Sequence, residues 1–196
     1  PNAFATGRNE KNAVVAVTTG LMRRLEHMEM EGVLAHELSH IRNRDMVVMT
    51  LASFFAAVAS FIIQQSFFLG ISIGGDRDNR EGNATLLVYL ASLVVWVVSY
   101  FLIRALSRYR EYAADRGAAY LTGAPSHLAS ALLKISGAMD RIPEEDLRQT
   151  QAVNAFFIIP AFGANSMFEL FSTHPSLEKR LDHLKRLELE MEGRAA

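Results

Sequence analysis

The chain has 196 residues, half of them hydrophobic, with a net charge of −1 and no cysteine. The near-neutral charge gives no support to a nucleic-acid partner, and the lack of cysteines excludes disulfides and cysteine-ligated metal sites. The length suggests one domain, with or without an appendage. Because the sequence begins with Pro1 and opens on no signal-peptide pattern, we expect it to be a piece of a longer protein.

The first 20 residues predict a small β element. Segment 14–19 is rich in valine and threonine and ends at a glycine, and residues 4–6 could pair with it through a polar turn at 7–12. Two helices should follow. One runs from Leu21 to Glu29, and the next begins near Met30 and could continue without a break into the apolar sequence beyond.

The second of these helices carries His36-Glu37-Leu38-Ser39-His40. Residues four apart lie on one face of a helix, so His36 and His40 could hold one zinc ion together. Glu37 would then lie beside the open coordination position, where it could accept a proton from the water that zinc activates. Five positions with three fixed residues also occur by chance, so the motif depends on support from the rest of the chain.

Two long stretches without a charged residue follow this motif, at 46–75 and 82–103. Each exceeds the ~20 apolar residues that a helix needs to cross a bilayer. Two helices buried in a soluble core are the alternative, but a chain of this length has little material to surround them. We therefore predict a transmembrane helical hairpin over 46–103, with spans at about 46–69 and 84–103.

Arginines are distributed unevenly around this hairpin. Five flank its open ends, at Arg42, Arg44, Arg104, Arg108 and Arg110, and two lie in its turn, at Arg77 and Arg80. Since cytoplasmic loops are the ones enriched in Lys and Arg, the flanking domain should face the cytoplasm from a position in the cell membrane.

The last part of the chain predicts two further helices. The helix of the second span should continue to Leu121 and stop at 122–125, and Ser126 could cap a helix that runs to about Met139. An amphipathic helix is expected from Pro175 to Met191.

Two segments separate these helices. Residues 141–151 are polar and indicate an exposed connection, whereas 152–164 are apolar but too short to span a membrane. The apolar segment could be part of the core or, less favoured, a flap near the membrane surface or the substrate cleft.

A catalytic zinc site usually has a third protein ligand. The extended motif that supplies a third histidine is excluded, because Asn43 and Met46 stand where it needs glycine and histidine. Glu111 is the best candidate, since the hairpin returns its helix to the start of the first span. Asp115, four residues on, could accept a hydrogen bond from the outer nitrogen of a ligating histidine. Three acids in the turns before the motif are poorer candidates: Glu26, Glu29 and Glu31.

His174 lies just before the last helix. It could donate a hydrogen bond to a developing oxyanion, or it could be a capping or buried structural residue. The remaining histidines lie on ordinary helical patterns and are interpreted as surface or core residues: His27, His127 and His183.

Together these motifs resemble the HtpX membrane metalloproteases, which are related to the CAAX prenyl proteases. The resemblance covers the whole chain and rests on residues 2–7, 17–21, 33–40, 110–115 and 173–175 and on Arg180. It implies an α+β, mostly α, zincin-like fold with a small N-terminal β element and an inserted transmembrane hairpin. Residues 1–45 and 104–196 would form a cytoplasmic metalloprotease domain around hairpin 46–103, and members of this family usually carry two further spans upstream.

The resemblance also implies a set of functional residues. His36, His40 and Glu111 would bind one catalytic zinc ion, and Glu37 would be the catalytic base. An edge strand would pair with the substrate backbone; its residues are Asn2, Ala3, Phe4 and Ala5.

The function expected from the resemblance is a membrane zinc endopeptidase for misfolded or damaged membrane proteins, in protein quality control and the stress response. Its partners would be extended peptide substrates and the lipid bilayer, with no nucleic acid. Two alternatives remain. A prenyl-protein protease would need more spans and an enclosed chamber, and a membrane scaffold with a structural zinc would have no use for Glu37. A channel or transporter subunit would place charges inside the spans, and these spans have none.

Overall fold

The computed structural model describes residues 1–7, 9–72, 79–139, 141, 158 and 174–195. In these residues the predicted fold class is confirmed: the chain is mostly helical, with a small N-terminal β element and two long apolar helices. The elements are β1 (Ala3–Gly7), β2 (Ala13–Val17), α1 (Thr19–Met22), α2 (His27–Arg42), α3 (Asp45–Ser72), α4 (Asn79–Thr122), α5 (Pro125–Met139) and α6 (Leu177–Ala195).

The two strands form the antiparallel pair that the sequence predicts. Ala3 lies opposite Val17 and Gly7 lies opposite Ala13. Gly7 has a φ of +143°, and a Cβ there would lie 2.6 Å from the Ala13 Cα, so the tight connection needs a glycine at this point.

The predicted helix from Leu21 to Glu29 is wrong. Helix α1 ends at Met22, and α2 begins at His27 rather than near Met30. The cause is Glu26, whose backbone is extended and whose N–H donates a hydrogen bond to Glu29 Oε2 at 2.9 Å. This reciprocal capping arrangement satisfies N–H groups that would lack partners at a helix start, so it begins a new helix.

A continuous helix from the histidine motif into the first apolar segment is also wrong. Arg44 lies between α2 and α3 with a φ of +56°, and the N–H groups of Val47 and Val48 bond to its carbonyl oxygen, which starts α3. A residue with a side chain in this left-handed region costs about 1–2 kcal/mol, so the surrounding contacts must maintain the break.

Helices α3 and α4 pack against each other and correspond to the predicted hairpin, whose turn at 73–78 lies outside the described residues. Their apolar parts, Asp45–Gln65 and Leu86–Thr122, each reach a mean hydropathy of 2.4, and only 6% of the residues in each most apolar window are buried. Both are long and apolar enough to cross a membrane, and the most apolar window of each lies almost entirely outside the core. Helix α4 is about 66 Å long, so it extends well beyond the ~30 Å of a bilayer core.

The core lies where α2 packs against α4 and α5, with α6 covering α5. Its largest buried side chains are Leu21, Leu128, Leu132, Ile135 and Leu184. Helix α5 begins at Pro125, so Ser126 lies inside it rather than at its cap, and α6 begins at Leu177 rather than at Pro175. The segments 141–151 and 152–164 lie outside the described residues, apart from Arg141 and Ile158.

Candidate metal centre

Three side chains from two helices converge beside the cleft described below. Helix α2 contributes His36 and His40, and α4 contributes Glu111. One nitrogen or oxygen atom from each lies within 4.8 Å of the others. The His36 Nε2 and His40 Nε2 atoms are 3.1 Å apart, and the Glu111 carboxylate oxygens lie 3.6 Å and 3.7 Å from them. Two imidazoles and one carboxylate are a donor set that suits a divalent metal ion, so these residues fit one.

The two helices can approach this closely because small residues face each other. A Cβ on Gly117 of α4 would lie 2.8 Å from the Ser39 Cβ of α2. Ala114 and Ala118 are buried in the same contact region of α4. The small side chains therefore set the distance between the histidine pair and Glu111.

His36 is held from behind by Asp115. The distance from His36 Nδ1 to Asp115 Oδ1 is 2.9 Å, which directs the other ring nitrogen, Nε2, toward Glu111. Burial alone would lower the pKa of His36, but the hydrogen-bonded Asp115 carboxylate and the nearby Glu111 carboxylate outweigh it and raise the pKa to about 9. The environment of this ring therefore favours a cation, either a proton or a metal ion.

Arg180 of α6 in turn holds Asp115. Its Nε and Nη2 donate to the two carboxylate oxygens at 2.9 Å and 2.6 Å, and its Nη1 donates to the Ile158 carbonyl at 2.8 Å. Burial lowers the pKa of Arg180, but the charge of Asp115 outweighs it and raises the pKa, so this guanidinium stays charged. Only the family resemblance pointed to Arg180, because the two partners are 65 positions apart in the sequence.

His40 has a carboxylate partner that the sequence analysis missed. Asp45 Oδ2 lies 2.6 Å from His40 Nδ1 and 3.1 Å from Arg110 Nε. On one continuous helix, residues five apart would be about 140° apart around the axis, so Asp45 would point elsewhere. The break at Arg44 brings it back to His40, and no sequence signal announced that break.

Glu37 is only 4% exposed and lies between the histidine pair and β1. Burial and, to a lesser extent, the negative charge of Glu111 raise the pKa of Glu37 above the ordinary value, against the lowering by His36, His40 and a hydrogen bond from the Ala5 N–H. A carboxylate with a raised pKa in this place is a better proton acceptor than an ordinary glutamate, as a general base requires.

The edge of β1 that does not pair with β2 faces this site. Thr18 N–H donates to the Asn2 carbonyl at 2.9 Å, so alternate residues of β1 bond to the neighbouring strand. Ala5 is an odd number of residues from Asn2, so its backbone groups point away from β2, and its N–H donates a hydrogen bond to Glu37. The outer edge of β1 therefore presents backbone groups toward the histidine motif.

A cleft of about 370 Å³ lies along this edge. It is lined by β1, by the histidine motif with Glu111, and by the first three turns of α3, including Met49 and Ser53. His174 also lines it, and its Nδ1 lies 3.7 Å from Glu111 Oε1. The cleft thus joins the candidate metal centre to the beginning of the first apolar helix.

The structure separates the four residues predicted to contact substrate. Phe4 and Ala5 line the cleft. Ala3 is fully buried in the core, and the Asn2 side chain accepts a hydrogen bond from the Ile158 N–H at 3.1 Å.

The acids and histidines that were considered poorer candidates lie outside the metal-compatible group found among the described residues. Glu29 instead accepts a hydrogen bond from Ser130 at 2.6 Å and pairs with Lys134 at 2.7 Å, which ties α2 to α5. The others are Glu26, Glu31, His27, His127 and His183.

The family model and similar curated proteins point to the same peptidase family. The family model described as peptidase family M48 matches residues 1–188. A protease HtpX homolog from Moorella thermoacetica is 71% identical over 194 residues, which cover 99% of this chain and 65% of that protein. Protease HtpX homolog 2 from Methanosarcina mazei is 60% identical over 191 residues, which cover 97% of this chain and 64% of that protein. The chain therefore spans slightly less than two thirds of these curated relatives.

One solved structure shows the same fold. It is the crystal structure of S. mikatae Ste24p, with a TM-score of 0.53 and 20% sequence identity over 93% of this chain and 42% of that chain. At this identity the likeness concerns the fold alone.

Proposed function

The chain belongs to peptidase family M48, and on that premise we propose that it is the catalytic part of a membrane-embedded zinc endopeptidase. The observation that carries this proposal is the convergence of His36, His40 and Glu111 next to a buried Glu37. A structural metal site would need no carboxylic acid in that position, whereas a hydrolase needs a base there.

We propose zinc as the metal because of the available ligands. Zinc is commonly held by two histidines and a glutamate in catalytic sites, which leaves a position open for water or substrate. Asp115 and Asp45 each hold the outer nitrogen of one of the two histidines, an arrangement that fixes the orientation of the ring and strengthens its other nitrogen as a metal ligand.

The proposed reaction is hydrolysis of a peptide bond. When bound, zinc supplies Lewis acidity, which polarises a carbonyl oxygen and lowers the pKa of a water from about 16 to about 7. Glu37 accepts the proton of the attacking water and later delivers it to the leaving amine. His174, which lines the same cleft, donates a hydrogen bond to the developing oxyanion.

The proposed substrate is an extended peptide segment. It would lie along the outer edge of β1 and pair with the backbone of Ala5 and Gly7, which line the cleft. The cleft continues to Met49 and Ser53 on the first apolar helix, which favours apolar segments close to the membrane. We therefore propose misfolded or damaged membrane proteins as substrates, with a role in protein quality control.

We propose that α3 and α4 cross the cell membrane as a hairpin, with domain 1–45 and 104–196 on the cytoplasmic side. The support is the exposed apolar surface of both helices together with the excess of arginines at the open ends of the hairpin. Because the chain has no cysteine, single cysteines report topology cleanly. Lys11→Cys should react with a membrane-impermeant maleimide in inside-out vesicles only, and Asn83→Cys in right-side-out vesicles only. The reverse pattern would refute this orientation.

The function is tested by cleavage of an unfolded model protein in detergent with zinc added. Wild type should cleave it, and Glu37→Gln should retain zinc but lose at least ~100-fold in rate, because it lacks the base. Glu31→Gln is the matched control, since it makes the same change at an exposed position of the same helix. Undiminished cleavage by Glu37→Gln would refute the role of Glu37, and no zinc-dependent cleavage by wild type would refute the proposed activity of this chain.

A further inference from the structure

The start of the first apolar helix is connected directly to the metal centre. Asp45 is the first residue of α3 and is only 4% exposed. Its Oδ2 atom contacts the imidazole of His40 on α2 at 2.6 Å and the guanidinium of Arg110 on α4 at 3.1 Å. One carboxylate therefore links three helices at the point where the hairpin leaves the domain.

We infer that Asp45 is a positioning residue for His40 and that it makes the metal centre dependent on the position of the hairpin. This inference rests on the proposed metal centre. A carboxylate that accepts a hydrogen bond from Nδ1–H fixes the ring in the tautomer whose Nε2 carries a lone pair. Here that Nε2 atom faces His36 and Glu111, the other two proposed ligands.

The surroundings of Asp45 are built to keep it in this place. A buried carboxylate is costly without partners, and Arg110 supplies a positive charge next to it. Arg110 directly precedes Glu111, so consecutive residues of α4 hold Asp45 and contribute a proposed ligand. The left-handed residue Arg44 turns α3 so that Asp45 points back at His40, and this backbone conformation is unfavourable for a residue other than glycine.

The two histidines differ in the position of the carboxylate that holds each ring. The carboxylate behind His36 belongs to Asp115, which lies on α4 and is clamped by Arg180 inside the domain. The carboxylate behind His40 belongs to Asp45, the first residue of α3, which continues directly into the first apolar span. A displacement of the start of α3 would therefore move the partner of His40 while the partner of His36 stays in place.

The test measures metal binding of the whole chain in detergent. The variants are Asp45→Asn, Asp45→Ala and, as the control, Asp182→Asn at an exposed position of α6. Zinc affinity is measured by competition with a chromophoric chelator, and the visible absorption spectrum of bound Co²⁺ reports ligand geometry. Asp45→Ala should lower zinc affinity about 10- to 100-fold and alter the Co²⁺ spectrum. Asp45→Asn should have a smaller effect, because its amide oxygen still accepts the hydrogen bond from Nδ1–H.

The outcomes separate this inference from the proposed function. Wild-type affinity and Co²⁺ spectra in both Asp45 variants would overturn the inference and leave the metal centre intact. The inference would also fail if affinity fell only in step with the melting temperature of the metal-free protein while the Co²⁺ spectrum stayed unchanged, because that result indicates a structural role alone. If wild type and His40→Ala bound zinc equally weakly, the metal centre itself would be refuted, and this inference with it.

Discussion

The close approach of α2 and α4 at Gly117 gives a prediction whose size follows from the structure. A Cβ at this position would lie 2.8 Å from the Ser39 Cβ and even closer to its hydroxyl oxygen. Rotation of the serine side chain moves the oxygen but leaves the Cβ where it is. Since ordinary contacts begin near 3.4 Å, Gly117→Ala must separate the two helices by at least about 0.6 Å, because interiors are close-packed.

This separation should weaken metal binding as well as stability. Overpacking of a filled core costs about 1–3 kcal/mol. If the metal-free variant relaxes by moving α4 away, metal binding must restore the ligand distances between His40 and Glu111 against that strain. Zinc affinity should then fall by roughly 5- to 150-fold, the equivalent of the same free energy. Chelator competition measures the affinity, and thermal unfolding of the metal-free protein measures the stability.

Matched variants show whether the contact with Ser39 is the cause. Ser39→Ala keeps the Cβ, so Gly117→Ala/Ser39→Ala should remain impaired, whereas Gly117→Ala/Ser39→Gly should regain zinc affinity. Gly137→Ala on α5 meets no atom within 4 Å, so it should stabilise the protein by up to about 1 kcal/mol through helix propensity and leave zinc affinity unchanged. Wild-type zinc affinity and stability in the single Gly117→Ala variant would refute this reasoning.

Two further predictions concern the ion pair between α2 and α5 and the part of the cleft that α3 lines. Burial alone would raise the pKa of Glu29, but hydrogen bonds, foremost from Lys134, lower it below 4.5. The difference in unfolding free energy between wild type and Glu29→Gln should therefore be fully present above pH 4.5 and shrink as the pH falls through the lowered pKa of Glu29. A difference that does not depend on pH would contradict this, and so would an equal effect of Glu31→Gln at an exposed position. Ser53→Phe should narrow the cleft and lower kcat/KM about 10- to 100-fold for substrates with large apolar residues, while zinc affinity stays unchanged. The control is Val58→Phe, at an exposed position of the same helix, which should cleave like wild type. A peptide-library assay measures both variants.

The sequence predicts those parts of the site that depend on local geometry. Helix periodicity puts His36 and His40 on one face, and the hairpin between the two apolar stretches explains how Glu111 can reach them. The structure brings these residues together, and their catalytic roles stay predictions. The same periodicity correctly predicts the mostly helical fold.

Contacts that depend on breaks in regular structure could not be predicted in the same way. The capping arrangement of Glu26 and Glu29 starts α2 earlier than its hydrophobic pattern suggests. Arg44 has no side-chain feature that announces a left-handed conformation, so the contact between Asp45 and His40 was missed. The position of Arg180 depends on packing between distant elements, which no local pattern encodes.

The identity of the metal ligands is the central claim, because every role proposed for a neighbouring residue depends on it. X-ray absorption at the zinc edge of the zinc-loaded chain measures these ligands directly. Wild type should show two imidazole nitrogens and further oxygen ligands at about 2.0–2.2 Å, without sulfur. Glu111→Ala should lose an oxygen ligand or exchange it for water, with both imidazoles retained. Fewer than two imidazoles in wild type, or a spectrum and a zinc affinity unchanged in Glu111→Ala, would contradict the proposed centre.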